Sequence, residues 1–363
     1  MSWVQRDSAL FWVYCAALVL GPVLFLAQAF GLVVYGGGPA LAALPITALT
    51  FLVFGGILFW LDMFRARTRL LAPIVMGFAW GFLVWPGTAL WANDRVTRVV
   101  TNLGGDEFAS NWQAAIAAPI DEEFIKAIGI AVVAVLFRSR LSRPMHGFLI
   151  GGAVGLGAQI SEDMLYSLQT AVAAPQNPAR DVFVVALLRL VTAFTSHWAM
   201  SALVGVGIVV LLTRTDRSWV YRVATFVLFY LLAVSMHAIF DAPRAAGPGV
   251  LALLLPVVID LAIFLLSYRW VLAAERKWFR ATISQPAARE FGPEPALESL
   301  LTHRGRHRAR AALRSSFHYT YGQAKQYERD LLTRIAALAD ESAPAVRYSP
   351  PGALWTDQQT VPR

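Results

Sequence analysis

The sequence predicts an all-α fold: a polytopic membrane helix bundle of about eight transmembrane helices, followed by a small helical and disordered cytosolic C-terminal tail. Three observations predict it. Of 363 residues, 57% are hydrophobic and only 15% are charged, where a soluble domain carries about 25% charged residues. The apolar mass is spread over residues 9–272 rather than gathered in one N-terminal stretch, and the mean hydropathy is +0.55. Arginine-rich and arginine-poor connections alternate along the chain, the pattern of repeated bilayer crossing. The single cysteine, Cys15, excludes a disulfide framework and any cysteine-rich metal site.

A bilayer core of about 30 Å needs roughly 20 apolar helical residues. Eight stretches qualify: 9–35, 41–61, 70–91, 113–137, 145–172, 182–212, 219–241 and 249–272. The first follows Arg6 without a small-residue cleavage site, so it is expected to be retained as a span. Gly36-Gly37-Gly38-Pro39 separates the first two spans, and Pro243, Gly247, Pro248 and Gly249 separate the last two. The polar stretch 93–112 is expected to be a loop that leads into span four and is a candidate lid. Arg65, Arg67 and Arg69, then Arg138, Arg140 and Arg143, then Arg214 and Arg217 occupy alternate connections. The intervening ones hold only Arg95 and Arg98, Arg180, and Arg244. Both termini are therefore expected on the cytoplasmic side of a cell membrane.

Three regions follow: a membrane unit over 1–274 with its motif-bearing core at about 70–272, a basic helical cytosolic extension over 275–341, and a disordered tail over 342–363. From Glu275 onward 14 Arg/Lys stand against 9 Asp/Glu. Arg304, Arg306, Arg308, Arg310 and Arg314 form a cluster suited either to anionic lipid or to plain solvation. No nucleic-acid partner is inferred from it.

The informative residues are charges placed where lipid is expected. Span four carries Asp121, Glu122, Glu123 and Lys126; span five, Glu162 and Asp163; span six, Arg189 and His197; span seven, His237 and Asp241; span eight, Asp260. Seven acids thus face two obligate bases, leaving five uncompensated. At roughly 2.5–3.5 kcal/mol each, that costs on the order of 12–17 kcal/mol without protons, water or a bound cation. Lys126 stands one turn from both Glu122 and Glu123, which point about 100° apart, so one carboxylate can be pinned while the other faces a reaction centre. Glu162 and Tyr166 are four residues apart, as are His237 and Asp241, the latter a spacing in which a carboxylate fixes an imidazole tautomer. Pro119 is expected to kink span four just before its acids. Arg189 and Asp260 are expected to be a structural pair or interfacial residues. Gly147, Gly151 and Gly155 on span five, with Ser201 and Gly205 on span six, offer small faces for close helix contact.

Glu122-Glu123-Phe124-Ile125-Lys126 is an EExxK motif, Glu162 to Tyr166 is ExxxY, His197 stands alone in a later helix, and His237 to Asp241 is HxxxD. In this order on four consecutive spans, they resemble the PrsW family of intramembrane proteases, which is similar to the CAAX prenyl endopeptidase and Abi group. The resemblance covers roughly residues 70–272. It departs at Ser161, where the family's second motif usually has an aromatic residue. What it implies is hydrolysis of a peptide bond in a membrane-anchored protein, an anti-sigma factor in some relatives. On that reading Glu122 or Glu123 activates water, with Glu162 and His197 also catalytic. A metal, zinc above all, would be held by Glu162, His197, His237 and Asp241, with Lys126 and Tyr166 in support. A metal-free mechanism, in which a glutamate and a histidine polarise the water, stays open. The pocket would open toward the extracytoplasmic side. Two other readings of the same cluster are a cation- or proton-coupled transporter and a non-catalytic membrane scaffold. The absence of an internal repeat, with all site residues in spans four to seven, favours one enzyme site over an ion pathway.

Overall fold

The computed structural model describes residues 4–174, 176–243 and 250–342. The expected turn at Gly247-Pro248-Gly249 and nearly all of the expected disordered tail, residues 343–363, lie outside them. Every regular element among the described residues is helical. The principal helices are α1 (Ala9–Ala40), α2 (Leu44–Leu61), α3 (Leu71–Ala79), α4 (Trp85–Leu136), α5 (Pro144–Ala173) and α6 (Pro178–Thr192). They continue with α7 (His197–Thr213), α8 (Trp219–Asp241), α9 (Val250–Ile283), α10 (Glu294–Ser299), α11 (His303–Phe317) and α12 (Tyr321–Ser342). Four stretches are long and apolar enough to cross a membrane: Ala9–Leu61, Pro178–Thr213, Trp219–Asp241 and Leu254–Ile283. The expected spans three to five are not among them. Their helices, α3 to α5, carry the glycines, acids and amides of the interior, where neighbouring helices rather than lipid surround them.

The bundle is organised around α5, which is buried along most of its length. Gly36 of α1 lies against Leu168 and Gly55 of α2 against Leu156, so the chain runs up α5 on α1 and back down on α2. The reversal falls on the 3-10 turn Leu41–Ala43, a few residues after the glycine run expected to break the helix. Those glycines stay helical, and Gly36 uses its bare Cα to meet the α5 backbone.

Helix α7 is antiparallel to α5 and packs most closely on it. A Cβ built on Gly147, Gly151 or Gly155 would stand 2.0 Å from the carbonyl oxygens of Gly205, Ser201 and His197 respectively. The small residues expected at this contact therefore do meet, and no larger side chain fits between the backbones.

Three departures from the sequence expectation shape the site. Residues 93–112 are not a loop: α4 continues through them and breaks only at Gly105, where φ is +81°, while Pro119 stays inside the helix. A π-turn at Trp80–Val84 joins α3 to α4; such turns insert an extra residue and re-aim the side chains that follow. Span six is discontinuous. After α6 and a 3-10 turn at Ala193–Thr195, Ser196 adopts φ −74°, ψ −157°, and α7 begins afresh at His197. His197 is thus the first residue of a helix, not a mid-helix residue.

The extension beyond 275 is packed rather than free. α9 runs through residue 274 unbroken, and Phe279, Ile283, Leu297, Leu300, Leu332 and Ile335 close around Met63 and Phe64 of the α2–α3 connection. Arg306, read as lipid-facing or solvated, is buried. It donates to Leu300 O at 2.7 Å and Met63 O at 2.9 Å.

Candidate active site

Four helices bring the acids and histidines together near the middle of the bundle. α4 supplies Glu122, Glu123 and Lys126; α5 supplies Glu162, Asp163 and Tyr166. The start of α7 gives His197, and the last turns of α8 give His237 and Asp241. Glu122, Glu123, Lys126, His197 and His237 are all buried.

The two adjacent glutamates divide as their angular separation requires. Glu123 Oε1 accepts from Lys126 Nζ at 2.6 Å and meets His237 Nδ1 at 2.9 Å. Glu122 points elsewhere: Lys126 Nζ is 3.8 Å away, Asn93 Nδ2 donates to Oε1 at 3.1 Å, and His237 Nε2 lies 3.9 Å from Oε2. Oε2 of Glu122 and Oε2 of Glu123 are buried with no hydrogen-bond partner among the described residues. Such orphaned carboxylate oxygens are rare in folded proteins and call for an explanation, a catalytic role or a bound ion among them.

His197 is held from both sides. Lys126 Nζ is 2.7 Å from Nδ1, and Glu162 Oε2 is 2.9 Å from Nε2. With Lys126 as an ammonium, Nδ1 is the acceptor and the ring proton sits on Nε2, donated to Glu162. His237 bridges Glu123 to Asp241, whose Oδ2 is 3.3 Å from Nε2. The two imidazoles meet edge to face with centroids 5.2 Å apart, and the Trp85 ring packs 5.6 Å from His197.

Arg189 is not the partner of Asp260. Its guanidinium, near the C-terminal end of α6, reaches across to α5, donating through Nη2 to Glu162 and through Nε to Asp163. The guanidinium also lies 4.2 Å over the Tyr166 ring. Asp260 is fully buried on α9 and neither of its oxygens has a hydrogen-bond partner among the described residues. The clasp explains how two consecutive acids tolerate the interior. Arg189→Met should therefore destabilise the fold by about 3–5 kcal/mol, the usual consequence of stripping the cation from buried carboxylates. Arg189→Lys should recover part of that loss. Denaturant melts in detergent check both.

Glu122, His197 and His237 each offer a ligand atom, and these atoms lie within 4.8 Å of one another. Of the four ligands expected, His197 and His237 belong to this group. Glu162 instead bonds His197 Nε2, Asp241 lies 3.3 Å from His237 Nε2, and Glu122 completes the group. Two imidazoles and a carboxylate with a free oxygen fit a catalytic metal. A histidine ligand must present a lone pair, so each ring would exchange one of its present hydrogen bonds for the ion. Asn93 and Trp85 were missed by sequence reasoning, because an amide and an indole are ordinary near a helix end. The π-turn that aims them leaves no mark in composition. Ser161 stands where an aromatic is usual, and its hydroxyl lies 3.4 Å from Gly81 O in that π-turn, a close approach a ring would block.

A sequence-family model, described as PrsW family intramembrane metalloprotease, matches residues 71–267, more than half of the chain. No curated protein and no solved structure matches it.

Proposed function

Because the chain belongs to the PrsW family of intramembrane metalloproteases, we propose that it hydrolyses a peptide bond of a membrane-anchored protein at the Glu122/His197/His237 cluster. The observation that carries the reading is the free, buried Oε2 of Glu122 facing two histidines. Glu123 and Glu162 are each tied to a cation and to an imidazole, so they orient rings. Glu122 has no cation within hydrogen-bond distance and is the carboxylate left free to bind a metal or to take a proton.

Zinc is the metal this donor set suits, with Glu122, His197 and His237 as its ligands. When bound it supplies a Lewis acid that polarises the scissile carbonyl and acidifies water. The chain's own residues do the rest. Glu162, held by Arg189, and Lys126 fix the His197 ring; Glu123 and Asp241 fix His237; Asn93 orients Glu122 through Oε1. The surrounding apolar helices keep bulk water out, which strengthens every charge inside. A second reading is favoured by one observation: every ring nitrogen of both histidines already has a protein partner. In that reading Glu122 Oε2 takes the proton of the attacking water with no metal present. We place the protein in the plasma membrane as an eight-span protein with cytoplasmic termini. Its pocket then opens to the extracytoplasmic side, and an anti-sigma factor is a candidate substrate.

Metal content of the detergent-purified chain separates the two chemistries. Near-stoichiometric zinc, lost in His197→Ala and in His237→Ala, is the expected result. A folded, metal-free protein that still cleaves transmembrane peptides, with new termini read by mass spectrometry, would establish the second. A chain with neither zinc nor cleavage would remove the assignment to this cluster.

A further inference from the structure

Helix α11, HRGRHRARAALRSSF, contains five arginines and no acid. The fold divides them into two faces. Arg306 and Arg310 turn inward to Glu328 of α12, with Arg306 also capping the carbonyls of Leu300 and Met63. Arg304, Arg308 and Arg314 turn outward, are exposed, and make no ion pair among the described residues. On an α-helix these three and the exposed His307 fall within about 120° of the circumference. The inward pair falls on the adjoining arc, with Arg310 about 40° and Arg306 about 80° beyond Arg314.

The position of this face is fixed by Trp60. It stands at the end of α2, part of the Ala9–Leu61 stretch able to cross a membrane, and is 69% exposed. His303, the first residue of α11, stacks on it with ring planes 12° apart and centroids 6.3 Å apart. A lipid-exposed tryptophan at a span end marks the level of the headgroups, so α11 starts at that level. The last turns of α9, another candidate span, add exposed Arg276, Lys277 and Arg280. The far end of α11 continues into exposed Phe317, Tyr319 and Tyr321, aromatic residues of the kind that settle at a membrane interface.

We propose that the outer face of α11, through Arg304, Arg308 and Arg314, docks onto the anionic phospholipid headgroups of the bilayer that holds the bundle. Charge complementarity selects the occupant: an acid-free basic face beside the hydrocarbon boundary meets phosphates first. The extension is then a second, electrostatic attachment, separate from the hydrolytic cluster and from whatever the cluster cleaves.

The test places a fluorophore at Ala311→Cys, in the middle of the outer face, in a Cys15→Ser background of the full chain. The chain is reconstituted into phosphatidylcholine vesicles or 3:1 phosphatidylcholine:phosphatidylglycerol vesicles, each doped with headgroup-spin-labelled lipid. Quenching should be at least threefold stronger in the anionic vesicles. It should fall to the neutral value in 1 M NaCl, where screening acts over about 3 Å. Arg304→Glu/Arg308→Glu/Arg314→Glu should quench alike in both vesicles, with an unchanged melting curve. Equal quenching of the otherwise unaltered face in both compositions overturns the proposal, and this comparison needs no charge variant. Salt-sensitive shielding of the fluorophore by an RNA oligonucleotide, without a lipid effect, also overturns it and assigns the face to nucleic acid.

Discussion

Glu122→Gln should abolish cleavage while leaving the protein as stable as before, or more so. Catalytic carboxylates contribute about 10²–10⁴-fold to rate, so a loss of at least two orders of magnitude is expected. The stability side follows from the hydrogen bonds. Oε1 keeps its Asn93 partner in the amide, and Oε2 has no partner to lose. The substitution removes a buried charge that no cation contacts at hydrogen-bond distance, and such a change relieves desolvation rather than adding to it. A melting temperature equal to or above that of the wild type, with activity gone, is the signature of a residue kept for chemistry at the expense of the fold. Zinc content of the same variant refines the role. Its loss makes Glu122 a ligand, and its retention makes Glu122 the proton acceptor. Normal cleavage by Glu122→Gln would remove the residue from the mechanism.

Gly155→Val should act in the opposite manner, taking stability and site together. Its Cβ would lie 2.0 Å from the His197 carbonyl oxygen and 2.8 Å from Ser201 Cβ, so the α7 backbone must retreat. Overpacking of this kind costs about 1–3 kcal/mol or more. The residue displaced is His197 itself, whose bonds to Lys126 and Glu162 are 2.7 and 2.9 Å long. A shift of 1 Å breaks both. The variant should melt earlier, hold no metal at the cluster and cleave nothing. Gly56→Ala, which meets open space, should leave all three unchanged. Wild-type zinc binding by Gly155→Val would show that the α5–α7 contact does not position the histidine.

The residues of the candidate site were legible because a bilayer makes charge expensive. Glu122, Glu123, Lys126, Glu162, His197, His237 and Asp241 stood out against an apolar background, and the structure gathers all of them. The glycine and serine steps on α5 and α7 were legible for a related reason, since only small residues allow backbones so close. Sequence periodicity could not show which atom faces which. Glu122 and Glu123 are one residue apart, both within a turn of Lys126, and it is Glu123 that takes Lys126 while also meeting His237 of α8. Arg189 was misread because its partners come from another helix and no local spacing connects it to Glu162 and Asp163. The break at Ser196 was invisible for a different reason: Phe194-Thr195-Ser196-His197 contains no proline or glycine, and apolar residues continue on both sides. Residues 93–112 misled in the other direction, since a polar composition is equally compatible with an exposed helix.

The side-chain polar contacts shorter than 3.5 Å in the site form one line of groups: Asp163, Arg189, Glu162, His197, Lys126, Glu123, His237, Asp241. Each member between the ends is shared by two neighbours, so a change at one position alters what the next requires. Energies of substitution along this line should not sum. A double-mutant cycle between Glu162 and Glu123, which do not bond each other, should still return a coupling through His197 and Lys126, of the 0.5–3 kcal/mol seen for residues in one network. The eight positions then behave as a single energetic unit, and the effect of any one substitution depends on the state of its neighbours in the line.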